Sequence, residues 1–221
     1  MLVDLRSDTV TRPAEAMRRA MAEAEVGDEQ HGEDPTVRRL EEMTADLLGK
    51  EAGLFLPSGT MCNEIAFLVH CRQGDEIIND YTGHAVTNEG GGPALLAGAM
   101  IRTVHGHNGV FTAEQLRGAL RPKSRYAPIS RAVVIEQTAN YGGGTVWPLR
   151  TIREVCAVAH EHGLIAHMDG ARLMNAVVAS GVSAREQCAT LDTAWLDMTK
   201  GLGAPIGAVL CGPAAFIEEA W

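Results

Sequence analysis

The chain has 221 residues, 46% of them hydrophobic and 21% charged, with a formal net charge of −9. That length buries one substantial core, with room for part of a second domain. The acidic balance excludes a nucleic-acid-binding surface, because no Lys/Arg cluster can neutralise a run of phosphates.

In chain order, the opening Met1-Leu-Val-Asp-Leu-Arg-Ser-Asp8 carries charges where a secretory signal needs its apolar core. No apolar stretch is long enough to span a bilayer. A helix is expected from Asp34-Pro35-Thr36 to Gly49, with Val37, Leu40, Met43 and Leu47 on one stripe. Another opens at Thr60 and runs to about Cys71. Glu76–Asn79 and Ala132–Glu136 read as strands. Between them, Tyr81–Gly92 is too glycine-rich to be helical throughout, and Arg121-Pro-Lys-Ser-Arg125 reads as a solvated helix end followed by a loop. Pro148 suits the first turn of a helix carrying Leu149, Ile152, Val155 and Ala159, capped by Gly163. Leu164–Asp169, Thr193–Asp197 and Ile206–Cys211 are the next strands, and Ala214–Trp221 a closing helix. Strands alternating with amphipathic helices predict an α/β fold with a mostly parallel sheet covered on both faces. Five scattered cysteines without a C-x-x-C pair suit reduced thiols, so a soluble, cytoplasmic protein is expected.

Lys200 is one of three lysines, with Lys50 and Lys123. It follows a strand and precedes the turn Gly201–Gly207, where burial lowers an amine's pKa toward nucleophilicity; a salt-bridged surface lysine is the plainer alternative. His167 and Asp169 share one face of their strand. Asp169 ends it at the carboxyl edge, where open α/β sheets place ligands. It suits a pyridinium nitrogen or a helix cap, with His167 behind it. Arg172 suits a substrate carboxylate or an ion pair with Asp169. Ser58-Gly59-Thr60 heads a helix, where amides bind a phosphate or a serine merely caps. His84 can stack on a flat ring, and Glu89 can orient water or a hydroxyl. Together an amine, an aspartate and an arginine at sheet edges are the parts that pyridoxal phosphate chemistry needs. His105-Gly-His107 lacks a third ligand and reads as a plain loop, so no metal is expected. Gly201-Leu-Gly203 precedes a strand instead of joining strand to helix, so it is no dinucleotide loop.

With these residues assembled, the chain resembles the low-specificity L-threonine aldolases, a fold-type I pyridoxal phosphate family. The resemblance rests on Asp4–Pro13, Gly32–Thr36, Leu56–Asn63, His84–Gly91, His167–Ala176 and Thr199–Gly207, which occur in family order. It implies a sheet of about seven strands, an N-terminal arm over residues 1–30 and a cofactor-binding large domain over 31–221. Family members continue into a small C-terminal domain, which supplies a second carboxylate-binding arginine. It further implies that Lys200 holds pyridoxal 5'-phosphate, Asp169 pairs the ring nitrogen, Gly59 and Thr60 hold the phosphate with help from Thr199, and His84 stacks on the ring. Arg172 and Ser7 contact the cofactor or the substrate carboxylate. The implied reaction is retro-aldol cleavage of an L-threonine-type amino acid to glycine and an aldehyde, in a homo-oligomer, dimer or tetramer.

Three departures from the family pattern stand out: Ala139 replaces a histidine, His31 a tyrosine, and Tyr126 the histidine that approaches the substrate hydroxyl. The proton acceptor expected instead is His84 or a water held by Glu89, with Tyr126 a weaker substrate contact. Two rival readings are another lyase reaction on the same scaffold, β-elimination or phenylserine cleavage, and a cofactor-binding fragment without turnover.

Overall fold

The computed structural model describes residues 3–221, so Met1 and Leu2 of the expected arm lie outside the described residues. One sheet contains β1 (Ala52–Leu56), β2 (Glu76–Asp80), β3 (Met100–Val104), β4 (Ser130–Glu136), β5 (Ile165–Gly170), β6 (Thr193–Asp197) and β7 (Ala208–Gly212). Their order is β1-β7-β6-β5-β4-β2-β3. β7 is antiparallel to both β1 and β6, and the remaining pairings are parallel. The expected mostly parallel α/β sheet is what forms. β2, β6 and β7 are buried along their whole length, as strands covered on both faces must be.

Each face has its own helices. Helices Pro35–Leu48, Ala113–Ala119, Leu149–Glu161 and Ala184–Cys188 place Leu48, Leu116, Ile152, Val155 and Cys188 against Ile78, Val133, Ile135, Met168 and Val209. On the other face, helices Gly59–His70 and Ala214–Ala220 bring Cys62, Ala66, Phe216 and Ile217 onto Leu54, Leu56, Trp195 and Leu210. Strand alternation divides β5 between them: Ala166 and Met168 enter the first core, while His167 turns to Phe67 on the second. Asp169 shares the His167 face, as the two-residue period requires.

Local signals hold where side chains meet backbone. Asp34 Oδ1 accepts from Thr36 N and Val37 N, both at 2.9 Å, and Pro35 opens the helix behind it. The helix expected after Pro148 ends at Glu161, with Gly163 beyond it and Leu164 N donating to Ala159 O. Arg121–Arg125 is the exposed loop expected after the helix end, which falls at Ala119; the Arg121 guanidinium also pairs with buried Glu76, with Nη2 2.9 Å from Oε2.

Register sets up the site. Glu136 pairs with Asp169 across β4 and β5, and Asp169 with Trp195 across β5 and β6. These side chains therefore stand in a row at the carboxyl edge, where the loops after β1 and β6 also emerge.

Candidate active site

A cleft of about 190 Å³ opens at this edge, lined by Ser58, Gly59, Thr60, His84, Glu136, Asp169, Arg172, Trp195, Asp197, Thr199 and Lys200 among others. Six residues singled out in the sequence thus meet in one place: Gly59, Thr60, His84, Asp169, Arg172 and Lys200, with Thr199 beside them.

The first wall is the start of helix Gly59–His70. Ser58 Oγ accepts from Met61 N at 3.2 Å, so the serine is a cap, and the amides of Gly59 and Thr60 head the helix. Gly59 lies flat against the Trp195 indole. A Cβ there would sit 2.2 Å from Cη2 of that ring, so only glycine fits.

Asp169 forms the floor and is 2% exposed. Its Oδ1 accepts from Ala171 N at 3.1 Å and its Oδ2 from Asn63 Nδ2 at 2.9 Å. Asp169 thus lines the cleft and braces the turn at Ala171, but it caps no helix: the helix that follows starts at Leu173 with no side-chain cap. Burial pushes its carboxyl up from the usual range, and the Asn63 bond works in the opposite direction. Neighbouring Glu136 is driven up to about 7 by burial and then by the Asp169 charge.

His84 stands on the third side. Its ring Nδ1 lies 2.7 Å from Glu89 Oε1, and its backbone N–H donates to Glu136 Oε2 at 2.8 Å. The Glu89 hydrogen bond raises the imidazole pKa, outweighing burial. Glu89 is buried behind His84 rather than facing the cleft, with Oε1 also accepting from Asn63 at 2.7 Å. Ligand atoms of His84, Glu89 and Asp169 lie within 4.8 Å of one another. The Glu89 oxygen of this trio already serves two donors.

Lys200 projects from the turn after β6 with its side chain 17% exposed, and its ammonium pairs with Asp197 Oδ2. The other oxygen, Oδ1, accepts from Thr199 Oγ1 at 2.6 Å and Lys200 N at 3.2 Å. Nζ sits 5.8 Å from the centre of the Trp195 ring. Arg172 does not pair with Asp169, as one reading expected. Its fork grips Asp8 instead, Nε to Oδ2 and Nη2 to Oδ1, both at 2.7 Å. That bond holds the Asp8 carboxyl below its ordinary range. Thr11 Oγ1 fastens the same segment to Lys200 O at 2.8 Å.

Two expected residues stand apart. Ser7 is exposed and caps the turn Asp8–Val10 through Thr9 N; its neighbour Asp8 is what reaches Arg172. Tyr126 is 92% exposed and does not reach the cleft. It precedes β4, so it lies toward the opposite edge of the sheet, a strand's length away. Asn63, Glu136, Trp195, Asp197 and Asp8 escape the sequence reading. Asp197 carries the signal that singled out Asp169, a carboxylate closing a strand at the ligand edge.

These residues fit pyridoxal phosphate, the cofactor of this family. A primary amine, a buried carboxylate, a helix start bare of side chain and an imidazole share one cleft. The Gly59–Trp195 contact leaves no room for a Cβ where the chain turns into helix Gly59–His70.

The family model described as beta-eliminating lyase matches residues 4–221. Low-specificity L-threonine aldolase 1 of Arabidopsis thaliana is 44% identical over 222 residues, covering 99% of this chain and 62% of the relative. The low specificity L-threonine aldolase of Escherichia coli K12 is 38% identical, covering 99% and 65%. A solved structure of a putative L-allo-threonine aldolase from Listeria monocytogenes superposes with a TM-score of 0.77 at 26% identity, covering 96% of this chain and 59% of that one. The chain thus spans less than two thirds of the length of these relatives. The match over nearly every residue, on this fold and around this cleft, places the chain in the beta-eliminating lyase family.

Proposed function

We propose that this chain carries the cofactor-binding half of a carbon–carbon lyase that cleaves L-threonine or L-allo-threonine-type β-hydroxy-α-amino acids to glycine and an aldehyde. The observation that carries this reading is the meeting of Lys200, Asp169, His84 and the Gly59–Thr60 helix start in one cleft. Bound pyridoxal phosphate supplies an aldehyde for the amino group and a ring that accepts the electrons released when a bond to Cα breaks. Lys200 provides the amine that anchors it. Asp169, fixed at both oxygens, holds a proton at the ring nitrogen. Gly59, Thr60 and the hydroxyl of Thr199 serve the phosphate. Arg172 receives the substrate carboxylate, exchanging Asp8 for it, with Ser7 at the edge of the same segment. His84 donates Nδ1–H to Glu89, which leaves Nε2 to accept the β-hydroxyl proton. Residues 1–30 then act as an arm over the large domain 31–221.

A cytoplasmic homo-oligomer is part of the same reading. Its supports are five free, buried cysteines and exposed apolar side chains such as Leu202 and Ile206 on the turn around Lys200. Among the described residues no helix is long and apolar enough to cross a membrane.

The test is incubation with pyridoxal phosphate and L-threonine, with acetaldehyde and glycine assayed while the absorption spectrum is recorded. Equal amounts of both products are expected. Ammonia and a keto acid instead indicate β-elimination, and a cofactor band without turnover indicates a binding fragment.

A further inference from the structure

Behind the cleft lies a buried polar chain that the reaction scheme leaves unused. Asn63 is fully buried, and its side chain makes four hydrogen bonds. Its Nδ2 donates to Glu89 Oε1 at 2.7 Å and to Asp169 Oδ2 at 2.9 Å. Its Oδ1 lies 2.7 Å from Trp195 Nε1 and 3.2 Å from His167 Nε2. The indole N–H can only donate, so the amide atom facing it must be the oxygen. The NH2 group then has to face the two carboxylates, and a flipped amide would oppose oxygen to oxygen twice.

The same logic runs outward. With Oδ1 accepting, His167 Nε2 carries the proton and Nδ1 is an acceptor. Thr193 Oγ1 lies 2.8 Å from that Nδ1, so its hydroxyl donates there and its lone pair accepts from His70 Nε2 at 2.9 Å. Burial pushes both imidazoles down, His70 to about 4 and His167 to about 3, so both are neutral, as this pattern needs.

We propose that Asn63 is the positioning residue of the cofactor cleft: its amide, locked by Trp195 and His167, delivers one N–H to Asp169 and the other to Glu89. The group that meets the ring nitrogen and the acid that orients His84 are thereby held by a single side chain. His167 acts through Asn63 and makes no bond to Asp169 itself. The inference deepens the proposed function, since it takes Asp169 as the partner of the ring.

The test has two arms on the full chain. In nitrogen-15-labelled wild-type protein without cofactor, long-range proton–nitrogen correlation reads the tautomer of each histidine. His167 is assigned through its closeness to the Phe67 ring, 5.9 Å between centroids. A neutral ring protonated at Nε2 is expected; protonation at Nδ1, or a charged ring, overturns the proposal. The second arm uses Asn63→Asp, which keeps the acceptor side toward Trp195 and His167 but loses both N–H donors. It should keep the His167 tautomer and bind pyridoxal phosphate about tenfold or more weakly, read from the bound-cofactor absorption band. Wild-type affinity with the tautomer kept would show Asn63 to be filler and overturn the proposal. A variant that does not fold leaves the tautomer to decide. A wild-type protein that binds no pyridoxal phosphate removes the functional reading, and the tautomer still decides the orientation of the amide.

Discussion

Asp197 closes β6 and Lys200 stands three residues on, in the turn that leaves it, and their ion pair presents the amine at the mouth of the cleft. If that amine anchors the cofactor, Lys200→Ala abolishes the absorption band near the visible edge and leaves no measurable turnover. In the wild type, borohydride treatment followed by mass spectrometry should find the cofactor adduct on Lys200; an adduct on another residue, or glycine release by Lys200→Ala at the wild-type rate, would refute the role. His84 gives a pH signature. Its pKa is raised from 6.5, chiefly by the Glu89 hydrogen bond, and only the neutral ring can take a proton. Activity should therefore climb on an acid limb lying above pH 6.5, and Glu89→Gln should move that limb to lower pH. A limb that stays in place assigns the proton transfer elsewhere. Asp8 occupies the fork of Arg172, so Asp8→Asn should lower KM for the amino acid roughly two- to tenfold with kcat little changed, in steady-state kinetics. A raised KM would make Asp8 a support for Arg172 rather than its competitor. At this scale the sequence reveals residues whose type and place are both unusual, such as Lys200 after a strand and Asp169 at its end. It hides Asn63, because a buried amide inside an amphipathic helix differs from a surface one only through partners distant in sequence.

Strands with long apolar runs, β4, β5, β6 and β7, are legible because burial on both faces demands such runs. β1 and β3 are not. β1 contains Gly53, where the backbone of helix Pro35–Leu48 comes close: a Cβ there would lie 2.9 Å from Glu41 O. β3, like β1 an edge strand, has Met100 exposed and Arg102 and Thr103 interrupting the apolar pattern. Helix Gly59–His70 shows the converse case, since its start is visible as Ser-Gly-Thr while the reason for the glycine lies on β6. Gly59→Ala drives a methyl into the Trp195 indole, an overpacking that costs about 1–3 kcal/mol. The expected outcome is a lowered melting temperature together with weakened cofactor binding. An alanine variant that melts and binds as wild type would show that the loop can move away from the ring, and that the close approach has no part in holding phosphate.

Across the whole molecule, the cleft floor and the layer behind it gather carboxyl groups that the sequence disperses: Glu136 and Asp169 line the cleft, and Glu89 and Glu64 lie buried behind it. Burial and the neighbouring Glu89 raise Glu64 to about 8, and burial with the Asp169 charge raises Glu136 to about 7. Neither oxygen of Glu64 has a hydrogen-bond partner among the described residues, so nothing there favours its charged form. A carboxyl with a raised folded pKa binds more protons in the native than in the unfolded chain. Its stabilising share is complete below the unfolded value and is lost as pH rises through the folded one. Half-buried His70, lowered to about 4, and buried His167, lowered to about 3, act in the opposite sense: they add stability as pH climbs toward 6.5 and contribute no further slope above it. Between about pH 6.5 and 8.5, therefore, the raised carboxyls and His84, also raised above 6.5, set the slope, and it is downward. The cofactor-free protein should melt several degrees lower at pH 8.5 than at pH 6.5 by calorimetry. Glu64→Gln keeps the shape without a titrating proton and should flatten that decline. Cofactor should flatten it as well if its ring nitrogen pairs with Asp169 as proposed, since a protonated nitrogen there would offer the clustered anions a cation. A melting temperature that holds level or rises across this range would mean that the carboxyls ionise freely in the folded state, and that the cleft floor is wetter than its burial indicates.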